Sequence, residues 1–289
     1  MDFRTDLTLE RSEMLPQCSG VENHIRGNGD CTVTEIKITG KEGEDALGKP
    51  QGRYITVDVP PFSSDGELLD GRLDALTDEI QGLLPKDGAV LIAGLGNRAI
   101  TADALGPECA DQIFVTRHIG EELAKAIGLS GLRSVASVSP GVLGKTGMEA
   151  SEIIKGICDE LSPSCVVAVD ALAARSIERL GTTVQLSDTG ISPGSGVGNA
   201  RREISEKTLG VPVISIGVPT VINAFTLAQN VVGSVIPDAD ISSAKRFGEF
   251  VVASREADLI TKRGARLISL ALNCALQPTL TPSELLTLT

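Results

Sequence analysis

Aromatic residues are scarce in this chain: it holds six Phe, one Tyr and no Trp among 289 residues. A core built without them must come from Val, Ile, Leu and Ala. The usual aromatic stacking platform for single-stranded nucleic acid is missing as well. Histidine is nearly absent, with only His24 and His118, and the six cysteines form no C-x-x-C pair. A finger- or ribbon-type zinc site is therefore not expected, and scattered cysteines of this kind suit a reducing cytoplasm. No stretch reaches the ~18 uninterrupted apolar residues of a membrane span. The first residues, MDFRTDLTLER, carry charges and no apolar core, so no signal peptide is expected. Positive charge is in deficit: the net charge is -12, which repels phosphate backbones and argues against direct nucleic-acid binding.

What the chain does have is a strand–helix rhythm. Residues 1–30 read as polar and irregular. Residues 31–39 (CTVTEIKIT) and 53–59 (RYITVDV) alternate apolar and polar, which predicts an antiparallel pair ahead of the main fold. Leu69, Leu73, Leu76, Ile80 and Leu83 recur at helical spacing before Pro85. Unbroken apolar runs follow at 89–93, 134–138, 165–169 and 211–216, with a more alternating strand at 182–186. Such runs suit strands covered on both faces. Residues 151–161 (SEIIKGICDEL) predict a crossover helix with a cap at Ser151. The expectation is an α/β fold: a central mostly parallel or mixed sheet with helices on both faces, plus a small N-terminal antiparallel strand element. A single domain spans 1–289. Its strand element occupies 1–65, its core with the site 66–235, and a helical segment 236–289 with a fraying tail from 278.

In sheets of this kind, sites form at the carboxyl ends of the strands. Run 89–93 leads into Gly94-Leu-Gly-Asn97 and then Asp103, at the start of the next helix. Run 165–169 ends in Asp170. A carboxylate after five apolar residues costs several kcal/mol unless it is paired, hydrogen-bonded or protonated. Two neighbouring carboxylates can share a proton, one acting as base toward water and the other as acid. The plainer alternative is that Asp103 and Asp170 cap different helices and never meet. A third loop, Ser187-Asp188-Thr-Gly190 through Gly194, Ser195, Gly196 to Asn199, is either a glycine-rich substrate rest or a plain loop. Arg117 or Arg175 could hold an aspartate ionised, and His118 could complete a metal site on the two carboxylates.

Two nucleotide motifs compete. Gly94-x-Gly96-x-x-Ala99 follows a strand, but no acid for a ribose ends the next strand. Ser139 to Thr146 approaches G-x-x-x-x-G-K-[ST] with Lys145 as its lysine, and Asp170 as the acid that helps hold magnesium. Pro140 removes one of the N–H groups that such a cradle needs.

Nine segments occur together and in order. They are Arg4-Thr-Asp-Leu7, Gly94-Leu-Gly-Asn97, Asp103-Ala-Leu-Gly-Pro107, Val115-Thr-Arg-His118, Pro140-Gly-Val142, Asp170-Ala-Leu172, Ser187-Asp-Thr-Gly190, Pro193-Gly-Ser-Gly-Val-Gly-Asn199 and Gly217-Val-Pro-Thr220. This set resembles the germination protease family of endospore-forming bacteria, which is related in fold to hydrogenase maturation proteases and is phosphorylase/hydrolase-like. The resemblance implies an endopeptidase of the spore core that begins the degradation of small acid-soluble spore proteins. It implies an atypical aspartic dyad of Asp103 and Asp170, no required cofactor, a homotetramer and a zymogen. A divalent metal held by Asp103, Asp170 and His118 is the variant that the related proteases suggest. Gly94, Gly96, Asn97, Asp188, Gly194, Ser195 and Gly196 take substrate-binding or supporting roles. Only three residues precede Arg4, so a long prosegment is not expected.

Overall fold

A computed structural model describes residues 4–15, 18–64, 68–126, 128–129, 131–198, 200–235 and 242–289. Among the described residues nine strands form one sheet: β1 (Val21–Asn28), β2 (Cys31–Ile38), β3 (Gly52–Asp58), β4 (Val90–Gly94), β5 (Val135–Val138), β6 (Cys165–Ala174), β7 (Thr183–Ser187), β8 (Val213–Asn223) and β9 (Val251–Ala253). The order is β1-β2-β3-β7-β8-β6-β4-β5, with β9 paired to the end of β8. Strands β5, β4, β6 and β8 are parallel, and the remaining pairs are antiparallel. The sheet is therefore mixed, with its parallel half where the unbroken apolar runs lie. The N-terminal strands do not stand apart, because β3 pairs with β7 and carries them into the same sheet.

Successive residues of β6 face opposite ways, and each face has its own cover. Val167 and Val169 pack with Leu76 and Ile80 of helix Gly71–Leu83, Leu105 of helix Leu105–Ala110, and Ile268 and Leu272 of helix Ala257–Leu276. Val166 and Ala168 pack with Ile154 and Cys158 of helix Ala150–Leu161 on the other side. Helices thus cover both faces. No helix among the described residues is long and apolar enough to cross a membrane.

Several elements depart from the reading of the sequence. The described residues within 1–30 are not irregular. They contain helix Thr8–Glu13 and strand β1, which pairs with β2 along its full length. Most of β1 is solvent-exposed, so it shows no alternation; the Gly29-Asp30 turn was the available signal. Helix Ala150–Leu161 is capped by Glu149 in a capping box with Glu152, and Ser151 is buried instead. The segment after 238 is not purely helical, since it supplies β9. Its tail ends in helix Pro282–Leu288, which Thr281 and Glu284 cap reciprocally, so the fraying expected there gives way to an ordered helix.

The first helix is anchored beside the site. Buried Glu10 accepts from the Thr5 hydroxyl and from the N–H groups of Arg175 and Ser176. Arg179 lies 3.8 Å from Glu10, 2.7 Å from Glu13 and 3.0 Å from Asp58. Burial pushes the Glu10 carboxyl up, while these donors and Arg179 pull it down. Arg179→Met leaves that carboxylate with hydrogen bonds but no counter-charge. The expected cost is about 2–3 kcal/mol, read as a lower urea midpoint. An unchanged midpoint would show that the N–H donors alone satisfy Glu10.

Candidate active site

The site lies where β4 stops and β6 continues. Leu95 donates its N–H to the Val169 carbonyl at 2.8 Å, and there the chain of β4 turns away. β8 keeps pairing with β6 as far as Ile222, so Asp170 is inside a strand and not at its end, as the apolar run suggested. Beyond Val169 that edge of β6 is free of β4, and the N-terminal segment meets it at Ala173, whose N–H and C=O bond Asp6. Asp170 shares the face of Val166 and Ala168, so it emerges where the apolar cover ends. Its residue is 4% exposed, and one carboxylate oxygen accepts from the Ala171 N–H at 2.9 Å.

Asp103 reaches the same place from the β4 loop. It closes the short 3-10 turn Thr101–Asp103 and caps no helix: helix Leu105–Ala110 has no side-chain cap. Its Oδ2 accepts from the Asn97 N–H at 2.8 Å. Two hydroxyls hold the turn down: Thr220 of β8 donates to Ala102 O at 2.6 Å, and Thr261 of helix Ala257–Leu276 donates to Thr101 O at 3.0 Å. Gly96 sits at φ +114°, and a Cβ there would fall 2.1 Å from Asp103 O. Gly94 serves packing: its space is filled by Gly106, whose own Cβ would lie 2.3 Å from Val169 O. The Asn97 side chain closes its own loop by accepting from the Ala99 N–H.

Both aspartates line one cavity of about 400 Å³, together with Asp6, Gly141–Leu143, Gly194 and Thr220. Burial raises the Asp170 carboxyl well above the ordinary range, and the charges of Asp103 and then Asp6 push the same way; the Ala171 N–H opposes them. Burial also raises Asp103, which the Asn97 N–H partly offsets. The two acids therefore differ in kind. Asp170 is enclosed and favours its proton, while half-buried Asp103 has a donor for its charge.

Other expected residues fall elsewhere. Asp188 accepts from the Arg53 N–H at 2.8 Å and does not line this cavity. Ser195 and Gly196 meet Asp6 rather than the dyad: the Ser195 hydroxyl donates to Asp6 Oδ1 at 2.6 Å. Asn199 lies outside the described residues. Neither Arg117 nor Arg175 lines the cavity, whereas Arg201 and Arg202 do. His118 is exposed and away from the cavity. No group of three or more His, Cys, Asp and Glu among the described residues is placed to hold a metal. Lys145 is exposed on the four-residue helix Leu143–Thr146, and the Thr146 hydroxyl is occupied by Met148 O. Of that segment Gly141–Leu143 line the cavity with Asp170, while Lys145 does not. Asp6 and Thr220 carried no site role in the sequence reading; the only signal was their membership of the ordered motif set.

The family described as germination protease matches residues 4–240. The germination protease of Caldanaerobacter subterraneus subsp. tengcongensis is 40% identical, over 99% of this chain and 97% of its own. That of Clostridium acetobutylicum is 38% identical, over 98% and 97%. That of Bacillus subtilis is 41% identical, over 81% of this chain and 67% of its own. Among solved structures, the NiFe hydrogenase maturation protease HycI from Thermococcus kodakarensis aligns at TM-score 0.37 and 15% identity, over 67% of this chain and 98% of that one. The relatives extend past residue 225, where the sequence motifs had ended, and take in β9 and helix Ala257–Leu276, which help build the site. Matched at this identity over nearly its whole length, the chain belongs to the germination protease family.

Proposed function

We propose that this protease is an endopeptidase that begins the degradation of small acid-soluble spore proteins at germination, in the spore core, by a water activated between Asp103 and Asp170. The observation that carries the reading is the pair of carboxylates in one cavity with unequal surroundings. Asp103, as the carboxylate, takes a proton from the water while the oxygen attacks the scissile carbonyl. Asp170, as the acid, gives its proton to the carbonyl oxygen. On collapse, the proton on Asp103 passes to the leaving amine and a diol proton returns to Asp170, which restores the starting pair. The short stretch of β6 between Val169 and Ala173 and the loop at 193–198 offer backbone against which an extended peptide can lie.

The metal variant has less support. Asp6 stands near the pair, but its oxygens are already used by Ala173 N–H and the Ser195 hydroxyl. The homotetramer and the zymogen implied by the resemblance belong to the same proposal, and sedimentation and N-terminal sequencing test them.

The test is incubation with a purified small acid-soluble spore protein, with and without a chelator, followed by mass spectrometry of the fragments. The expected result is one or a few specific internal cuts at a rate the chelator leaves unchanged. Loss of cutting on chelation, restored by a divalent ion, would replace the carboxylate-held water with a metal-held one. No cutting under any condition by the processed enzyme would remove the substrate assignment.

A further inference from the structure

Asp103 stands on a turn that does little to hold itself. The 3-10 turn Thr101–Asp103 is three residues long and lies at the surface, where Ile100 is 54% exposed and Thr101 is exposed as well. Its own hydrogen bonds run from the Asp103 N–H to Ile100 O at 2.8 Å and from the Ala104 N–H to Thr101 O at 3.3 Å. Short 3-10 pieces have poor hydrogen-bond geometry, and connecting segments at the surface move more than the elements they join. A base that must meet both a water and a scissile carbonyl needs a firmer seat.

Two side chains from distant parts of the chain supply it. Thr220 and Thr261 are 0% and 1% exposed, and their hydroxyls donate to adjacent carbonyls of the turn, Ala102 O at 2.6 Å and Thr101 O at 3.0 Å. A helical threonine can turn its hydroxyl back to the i−4 carbonyl of its own helix; Thr261 reaches out of its helix instead. Both platforms are fixed. β8 pairs with β6 along one edge and with β7 and β9 along the other. Helix Ala257–Leu276 packs into the core, and side chains at its far end tie it to the β5 flank: Asn273 accepts from the Phe114 N–H and donates to Gln112 O, and Gln277 accepts from the Arg133 N–H and donates to Arg133 O. This helix lies beyond residue 240, where the family match stops.

We propose that Thr220 and Thr261 are positioning residues for peptide hydrolysis: their hydroxyls brace the Asp103 turn from β8 and from the C-terminal helix, and so hold the base where its water is. This rests on the dyad reading above. Each hydroxyl bonds the backbone of the turn and not the carboxylate, so each acts through the turn alone. Thr220 also lines the cavity, whereas Thr261 does not, which makes Thr261 the cleaner probe.

The experiment compares the processed wild-type enzyme with Thr261→Val, Thr261→Ser and Thr220→Val on the same spore protein, with kcat and KM measured separately. Valine keeps the shape and removes the donor. In Thr261→Val, kcat falls about 10–100-fold through misplacement of Asp103, while KM stays within about 2-fold of wild type. Thr261→Ser keeps the donor and holds kcat within about 3-fold of wild type. Thr220→Val lowers kcat at least as far. A wild-type kcat in Thr261→Val, a loss confined to KM, or a Thr261→Ser enzyme as slow as Thr261→Val would each overturn the proposal. If Thr220→Val does not fold, the Thr261 pair decides; if neither valine variant folds, Thr261→Ser decides alone, and a kcat down about 10-fold or more overturns the brace. Asp103→Asn and Asp170→Asn run alongside. Substantial cleavage by either would bring down the dyad itself, which is a separate failure.

Discussion

Asp170→Asn abolishes cleavage and yet melts at a higher temperature than wild type near neutral pH. The loss of activity is expected to be about 10³-fold or more, because an amide can neither give nor take the proton that the reaction moves. The gain in stability follows from burial. Among the described residues Asp170 has no cationic partner and a single N–H donor, and two carboxylates bear on it. Its folded-state pKa is raised. Below the ordinary aspartate value, about 3.9, folded and unfolded chains both carry the proton and the substitution is nearly neutral. As pH rises past that value the unfolded chain ionises first, so wild-type stability is lost progressively until pH passes the folded value. Asparagine removes this loss. The difference in Tm should be near zero in acid and grow toward neutral pH, by about 2–4 °C per kcal/mol for a domain of this size. Asp103→Asn should be equally inactive with a smaller gain, since Asp103 is half-buried and has the Asn97 donor. Thermal unfolding at several pH values, beside the cleavage assay, checks both. Equal melting at neutral pH would mean that Asp170 is ionised in the folded protein, and the roles of acid and base would have to be reassigned.

Gly96→Ala carries the second large effect, through backbone alone. At φ +114° an L side chain is strained, and its Cβ would lie 2.1 Å from Asp103 O and 3.1 Å from Asp103 Oδ1. The loop must shift, and the Asn97 N–H moves off Asp103 with it. Cleavage should fall about 10²-fold and stability by about 2 kcal/mol. Gly144→Ala is the control. Gly144 is exposed on a helix, with nothing within 4 Å of an added Cβ, so stability should change by less than about 0.5 kcal/mol. A Gly96→Ala enzyme with wild-type kcat would show that Asp103 does not depend on this turn.

The two aspartates could be picked out in the sequence because each breaks a local rule. Asp170 follows five apolar residues, and Asp103 follows a strand and a glycine turn; an uncompensated charge at such places is costly enough to need a reason. Asp6 gave no such cue. Near the N-terminus, in a polar stretch, it looks solvated, and only its contacts with Ala173 and Ser195 bury it. Asp188 shows the converse. Its motif setting suggested a role at the site, but the antiparallel pairing of β3 with β7 turns it to Arg53.

The sequence by itself determined the mixed α/β sheet, because burial on both faces demands unbroken apolar runs and burial on one face demands alternation. Those patterns are local and survive in one dimension. Tertiary structure alone decided how far β6 and β8 extend, since a strand continues as long as a neighbour supplies hydrogen bonds, whatever its own composition. It also decided which carboxylates share a cavity. Asp6, Asp103 and Asp170 are separated by long stretches of chain, and they converge because β4 ends at Gly94 while β6 runs on beside β8.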